Sequence, residues 1–230
     1  MSSQGDRSPE LNARDIDITR EISRSEASTI FEIRMCGRTH VMKLFHDNGD
    51  PGHTKRGRDL NRFGCELNAY RNLRQFGVCE RGLVPFFFGW IDRVDPSAFH
   101  PQLKHFTSDK FHPRAIVLEY LVDAEKLNCV NYSEGLFRYA VDGIKEIHNA
   151  RIHHHDIYPK SMLVVAGSRI VWIDFDVATT FDSMGSREKA YCDYEVELVQ
   201  DFGKLLKDDQ RQGLPPNTKY YRTRSSLQII

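Results

Sequence analysis

His154-His155-Asp156-Ile157-Tyr158-Pro159-Lys160-Ser161 and Ile170-Val171-Trp172-Ile173-Asp174-Phe175-Asp176 are the stretches that decide the fold. The first follows an apolar-periodic segment that ends near His148. The second closes a β-branched run. One carboxylate, Asp156, therefore falls on a loop after a helix, and the other, Asp174, at the mouth of a strand. Two carboxylates so placed suit phosphoryl transfer, in which one group orients an attacking hydroxyl and another holds the metal that neutralises the phosphates.

The 230 residues leave room for one large domain or two small lobes sharing a cleft. A content of 40% hydrophobic and 11% aromatic residues argues against wholesale disorder. Lys+Arg and Asp+Glu balance at 32 each, so no global field attracts nucleic acid or an anionic membrane. The basic run Lys55-Arg56-Gly57-Arg58 reads as a solvated loop. The five cysteines are scattered, odd in number and without a C-x-x-C pair, which predicts reduced thiols rather than a disulfide framework or zinc site. The first ten residues lack an apolar signal core, and the longest apolar-rich run, Leu83 to Ile91, is too short to span a bilayer. These features predict a soluble, intracellular, cytoplasmic protein with neither nucleic acid nor membrane as a partner.

Along the chain, residues 1–14 read as a disordered lead. Alternation predicts strands around 17–19, 29–33 and 39–45, with Gly37 at a turn. Leu60, Phe63, Leu67, Tyr70 and Leu73 recur at helical spacing and predict a helix over 58–76. Two further strands, 85–91 and 115–121, flank a Pro- and His-rich loop over 93–114 long enough to be mobile. Ser133 caps a second helix through His148. Short strands at 162–165 and 170–173 and a third helix at 195–206 follow, and the chain after Gly213 looks irregular. The expected division is 1–14, 15–121, 122–212 and 213–230.

Lys43 closes an alternating strand, and Glu66 lies in the following helix on its Phe63/Leu67/Tyr70 side. A lone strand lysine is ordinarily a solvated edge residue. The ordered series of strand lysine, helix glutamate, apolar strand, helix, loop aspartate and strand aspartate points elsewhere. His153-His154-His155 does not read as a metal site, because consecutive residues rarely converge on one ion and no second His/Cys cluster has ligand spacing.

That series resembles the protein-kinase-like superfamily, and Ile173-Asp174-Phe175-Asp176 is most similar to divergent fungal kinase-like proteins. The resemblance covers residues 16–206. It implies an α+β, bilobal fold: a small antiparallel-sheet N-lobe with one helix, and a truncated, mainly helical C-lobe. It also implies a phosphotransferase dependent on ATP and magnesium, acting on a protein Ser/Thr or a small-molecule hydroxyl. By resemblance Lys43 grips the phosphates and Glu66 holds it. Leu118 guards the adenine pocket, backbone groups of Glu119 and Leu121 meet the purine edge, and Ile30, Val41 and Leu163 sandwich its faces. Asp156 orients the acceptor hydroxyl, with His154 packed beneath the metal-binding segment. Lys160 balances developing charge. Asp174 and Ser161 are the implied magnesium ligands.

Three departures qualify that pattern. Serines 23, 25 and 28 stand where a nucleotide-covering loop carries glycines. Ser161 replaces an asparagine ligand, which predicts weakened metal binding. Only 56 residues follow Asp174, too few for a full peptide-docking platform. The alternative implied by these departures is a pseudokinase that binds nucleotide or a protein partner without turnover.

Overall fold

The computed structural model describes residues 9–216; the expected disorder of residues 1–8 and irregularity of residues 217–230 lie outside the described residues. The chain is α+β, with a five-stranded antiparallel sheet and, among the described residues, three α-helices. It divides into two compact units. The first runs to Tyr120 and also takes Phe175–Thr180; the second comprises Leu121–Asp174 and the chain from Phe181 onward. The return of residues 175–180 to the first unit is absent from the linear division read in the sequence. No helix among the described residues is long and apolar enough to cross a membrane.

The sheet of the first unit contains β1 (Ile16–Arg24), β2 (Ser28–Met35), β3 (Arg38–Asp47), β4 (Phe87–Ile91) and β5 (Phe111–Glu119), in the order β1-β2-β3-β5-β4. Cys36 and Gly37, both at positive φ, form the two-residue turn between β2 and β3, the conformation that suits the twist of a tight hairpin. Alternation gives the sheet two distinct faces. Phe31, Ile33, Met42, Leu44, Ala115 and Val117 form one face of the core. The cross-strand pairs Ile30 with Lys43 and Val41 with Leu118 put those four side chains on the other.

Residues 93–114, expected as a mobile loop, are instead built into that core. Two 3-10 turns, Pro96–Phe99 and Lys104–Phe106, bring Val94, Leu103 and Phe106 onto the Met42/Leu44 face. Polar ties fix the insert as well. Thr29 Oγ1 lies 3.0 Å from His105 Nε2, and His46 Nδ1 lies 2.9 Å from both Asp109 oxygens. A polar, Pro-rich composition hid the few apolar residues that anchor the segment. The expected disordered lead is likewise ordered from Pro9. Leu11 N–H donates to Trp90 O at 2.8 Å, and Trp90 N–H to Pro9 O at 3.2 Å.

Helix α1 (Arg62–Gln75) begins later than residue 58 because Asn61 caps it, its side chain accepting from Gly64 N–H at 3.0 Å. In the second unit, Ser133 caps α2 (Glu134–Asn149) by accepting from Leu136 N–H at 3.2 Å. Strands β6 (Ala124–Lys126), β8 (Met162–Val165) and β9 (Arg169–Trp172) form a small antiparallel sheet, while β7 is the two-residue segment Ile152–His153. Trp172, fully buried, donates its indole N–H to Ala140 O at 3.0 Å and fixes α2 against β9. Helix α3 runs from Ser186 to Arg211, longer than its apolar core predicts, because its first two turns are polar and exposed. Gly203 on α3 lets Phe137 of α2 approach: a Cβ there would meet that ring at 2.4 Å.

Candidate functional site

The first unit's contribution starts with β3. Val41, Lys43 and Phe45 alternate onto the face opposite Met42 and Leu44, and Phe45 packs edge-on against Phe63 of α1. This contact sets the helix beside the strand. One turn beyond Phe63, Glu66 reaches Lys43, and the ammonium and carboxylate meet at 2.6 Å. Their side chains are 7% and 1% exposed. A dry pair of this kind is stable only while both partners are present, since either charge alone would be buried uncompensated.

Asp176 belongs to the same constellation. Its Oδ1 accepts from Arg62 Nη1 at 3.0 Å, and its Oδ2 lies 3.9 Å from Lys43 Nζ. Sequence reasoning gave Asp176 no role and did not single out Arg62. Cys65, between these groups, has its thiol pushed up to about 11, chiefly by burial and further by Asp59 and Asp176.

At the end of the sheet, Leu118 is buried. Glu119 N–H donates to Phe86 O at 2.9 Å, and the Glu119 carboxylate accepts from Phe86 N–H at 3.1 Å. That backbone N–H is therefore engaged within the first unit. Ile30 and Val41 are half-buried on the Lys43 face. In the serine-rich turn between β1 and β2, the Ser25 hydroxyl accepts from Ala27 and Ser28 N–H and donates to Ser28 O. These contacts close the turn locally. None of Ser23, Ser25 and Ser28 adopts positive φ, so no glycine is required.

The second unit carries the aspartate loop. Lys160 Nζ donates to Asp156 Oδ2 at 2.7 Å, and Ser161 Oγ donates to the same oxygen at 3.2 Å. Both contacts fall on Oδ2, and neither uses Oδ1. His154, fully buried, has Nε2 3.1 Å from Ile173 O and Nδ1 accepting from Asp156 N–H at 3.3 Å. This one ring ties the Asp156 loop to the strand end that carries Asp174. Asp174 itself adopts φ +70°, a left-handed conformation rare outside glycine and frequent where side-chain aim matters. Leu121 and Leu163 are half-buried in this unit.

A buried carboxylate that sequence reasoning missed holds the loop. Glu195 of α3 accepts from the backbone N–H groups of His154 and His155 at 3.1 and 2.8 Å, and lies 2.7 Å from His148 Nε2. His153 Nε2 lies 3.5 Å from its second oxygen. Burial pushes the Glu195 carboxyl up, but the hydrogen bond with His148 and the fields of His153, His148 and His154 outweigh it and hold it at about 2. Burial also lowers the His153 imidazole, against the opposing field of Glu195. The signal was present in the sequence: Cys192, Glu195, Val199, Phe202 and Leu206 recur at helical spacing, so Glu195 is a charge on an apolar stripe.

Among the described residues, no group of three or more His, Cys, Asp or Glu side chains could hold a metal ion. The donor chemistry of Asp174 and Ser161, one carboxylate and one hydroxyl, fits a hard cation that keeps waters and phosphate oxygens in its shell, as magnesium does. No protein-family model and no curated protein matches this chain.

Proposed function

We propose that the chain is a phosphotransferase of the protein-kinase-like superfamily, with a divergent, fungal-type pattern and a shortened C-terminal lobe. In this reading it uses ATP and magnesium to phosphorylate a protein Ser/Thr or a small-molecule hydroxyl. The observation that carries the reading is the dry Lys43–Glu66 pair at 2.6 Å, on a sheet face shared with Ile30, Val41 and Leu118. A lysine fixed at the rim of an apolar surface is what a flat base with a phosphate tail requires.

Each residue then has a task. Lys43 binds the nucleotide's phosphates while Glu66 keeps its ammonium in place. Leu118, Ile30 and Val41 of the first unit contact the base. Asp156 orients the acceptor hydroxyl through Oδ1, because Oδ2 is occupied by Lys160 and Ser161. Lys160, 49% exposed, supplies positive charge near the transferred group. Asp174 and Ser161 would hold magnesium, whose chemistry when bound is to neutralise phosphate charge. The free thiols suit a reducing, cytoplasmic setting: burial pushes Cys79 and Cys192 up to about 12, so they stay protonated and unreactive.

Radiolabelled phosphate transfer to a generic protein acceptor and to water, with magnesium, tests the reading. Asp156→Asn is expected to lower the rate by roughly two orders of magnitude or more, through loss of the group that positions the acceptor hydroxyl, and Asp174→Asn to lower it comparably, through loss of the magnesium ligand. Rates equal in all three proteins would overturn it. The rival reading, a pseudokinase, is favoured by the engagement of the Ser161 hydroxyl with Asp156. A melting-temperature rise with ATP and magnesium, without turnover, would select it.

A further inference from the structure

We propose that Arg62 and Lys43 form one two-cation phosphate site whose internal occupant is the Asp176 carboxylate, so that Asp176 makes nucleotide binding dependent on a divalent cation. The proposal rests on the nucleotide-binding reading above.

All four charged groups belong to the first unit. The Asp176 carboxylate takes Arg62 at 3.0 Å on Oδ1 and Lys43 at 3.9 Å on Oδ2. Glu66 takes the other side of Lys43. The two cations and two carboxylates cancel in formal charge. Lys43, Glu66 and Asp176 are 7%, 1% and 11% exposed, while Arg62 is 45% exposed and forms the open side. In so dry a setting each unit of charge weighs more than it would in water.

Nothing in helix formation calls for Arg62. It is the first residue of α1, where the positive end of the helix dipole disfavours a cation. An anion at this position offsets that cost, and Asp176 is the anion present. A triphosphate has the same need for two converging cations and must compete with Asp176 for them. The neutral set offers a metal-free polyphosphate no net attraction. A divalent cation reduces the ligand's charge and gives the Asp176 carboxylate another positive partner.

Titration calorimetry on the whole chain tests this, with ATP and with inorganic tripolyphosphate, each in magnesium and in EDTA. Wild type, Asp176→Asn, Arg62→Gln and the double variant are compared, with melting curves to confirm folding. Asp176→Asn is expected to tighten metal-free binding of both ligands about tenfold, and the added Arg62→Gln to abolish that gain. Metal-free affinity unchanged or weakened by Asp176→Asn, while wild type binds ATP with magnesium, overturns the proposal and leaves the nucleotide reading standing. Tripolyphosphate gained by Asp176→Asn, with no ATP bound by any protein, supports the anion site and overturns the nucleotide reading. No binding of either ligand by any of the four overturns both. Should Asp176→Asn not fold, Arg62→Gln alone decides, since Arg62 is the most exposed of the four side chains, at 45%. It is expected to weaken binding of ATP with magnesium about fivefold, and an unchanged affinity overturns the proposal.

Discussion

Each unit buries a glutamate supplied by a helix, and the two carboxylates are partnered by different means. Glu66 of α1 meets Lys43, a compact ammonium on a flexible stem. Glu195 of α3 meets His148 and His153 together with two backbone N–H groups of the segment leading to Asp156. The first arrangement holds a side chain and the second holds a loop. Both are stable only when complete, and the second draws its side-chain partners from histidine rather than lysine.

The largest effect should come from breaking the lysine–glutamate pair. Lys43→Met leaves Glu66 buried without its cation and is expected to cost about 3–5 kcal/mol in urea unfolding. The double variant Lys43→Met, Glu66→Met should recover most of that loss, since an apolar pair of similar volume replaces a desolvated one. A double variant no more stable than the single would mean that Lys43 contributes through packing on Phe45 and not through its charge.

Glu195→Gln comes next, with an expected loss of roughly 3 kcal/mol near neutral pH, the worth of holding a carboxyl at about 2 instead of its ordinary 4.5. Folding lowers this group from 4.5 to about 2, so its contribution is complete above pH 4.5 and is lost as pH falls toward 2. Acid unfolding followed by circular dichroism should therefore lose its steep limb in that window in the variant. Hydrogen exchange at the amides of His154 and His155 should rise, whereas a purely electrostatic surface role would leave those amides protected.

A smaller change follows at milder acidity. Burial lowers His153 below its ordinary 6.5, so the fold favours the neutral imidazole. Its contribution is present above pH 6.5 and fades as pH drops below it. His153→Asn should flatten the stability profile just below pH 6.5, and the Lys43–Glu66 variants should show no such feature. A wild-type profile flat from pH 7 to 5 would erase the contrast between the two glutamates. Ser133→Ala, which touches neither cluster, sets the scale of an ordinary helix start: about 1 kcal/mol by the same unfolding measurement.

The contrast also marks what the sequence could reveal. Lys43 and Glu66 were legible because each stands in a strongly periodic element, where spacing alone fixes the face of a residue. Ser133 was legible because capping is local chemistry. Residues 93–114 were misread because Val94, Leu103 and Phe106 are too widely spaced to show a period, and their burial depends on the sheet face they cover. Glu195 was overlooked because its partners come from β7 and the loop after it, about 40 residues away along the chain. Ser25 was identified, but which of its neighbours its hydroxyl would bond is a property of the folded turn.

The ordered segment after Pro9 has a consequence for handling the protein. Strand β4 lies at the sheet margin, and its outer backbone groups at Trp90 are satisfied by Pro9 and Leu11. Gly89 permits this approach, since a Cβ there would sit 2.3 Å from Pro9 O. A bare strand margin is a template on which a second molecule can add its own strand. A version trimmed back to Ile16 would keep every residue of both charged clusters and still expose that template, so self-association would set in before either cluster was disturbed.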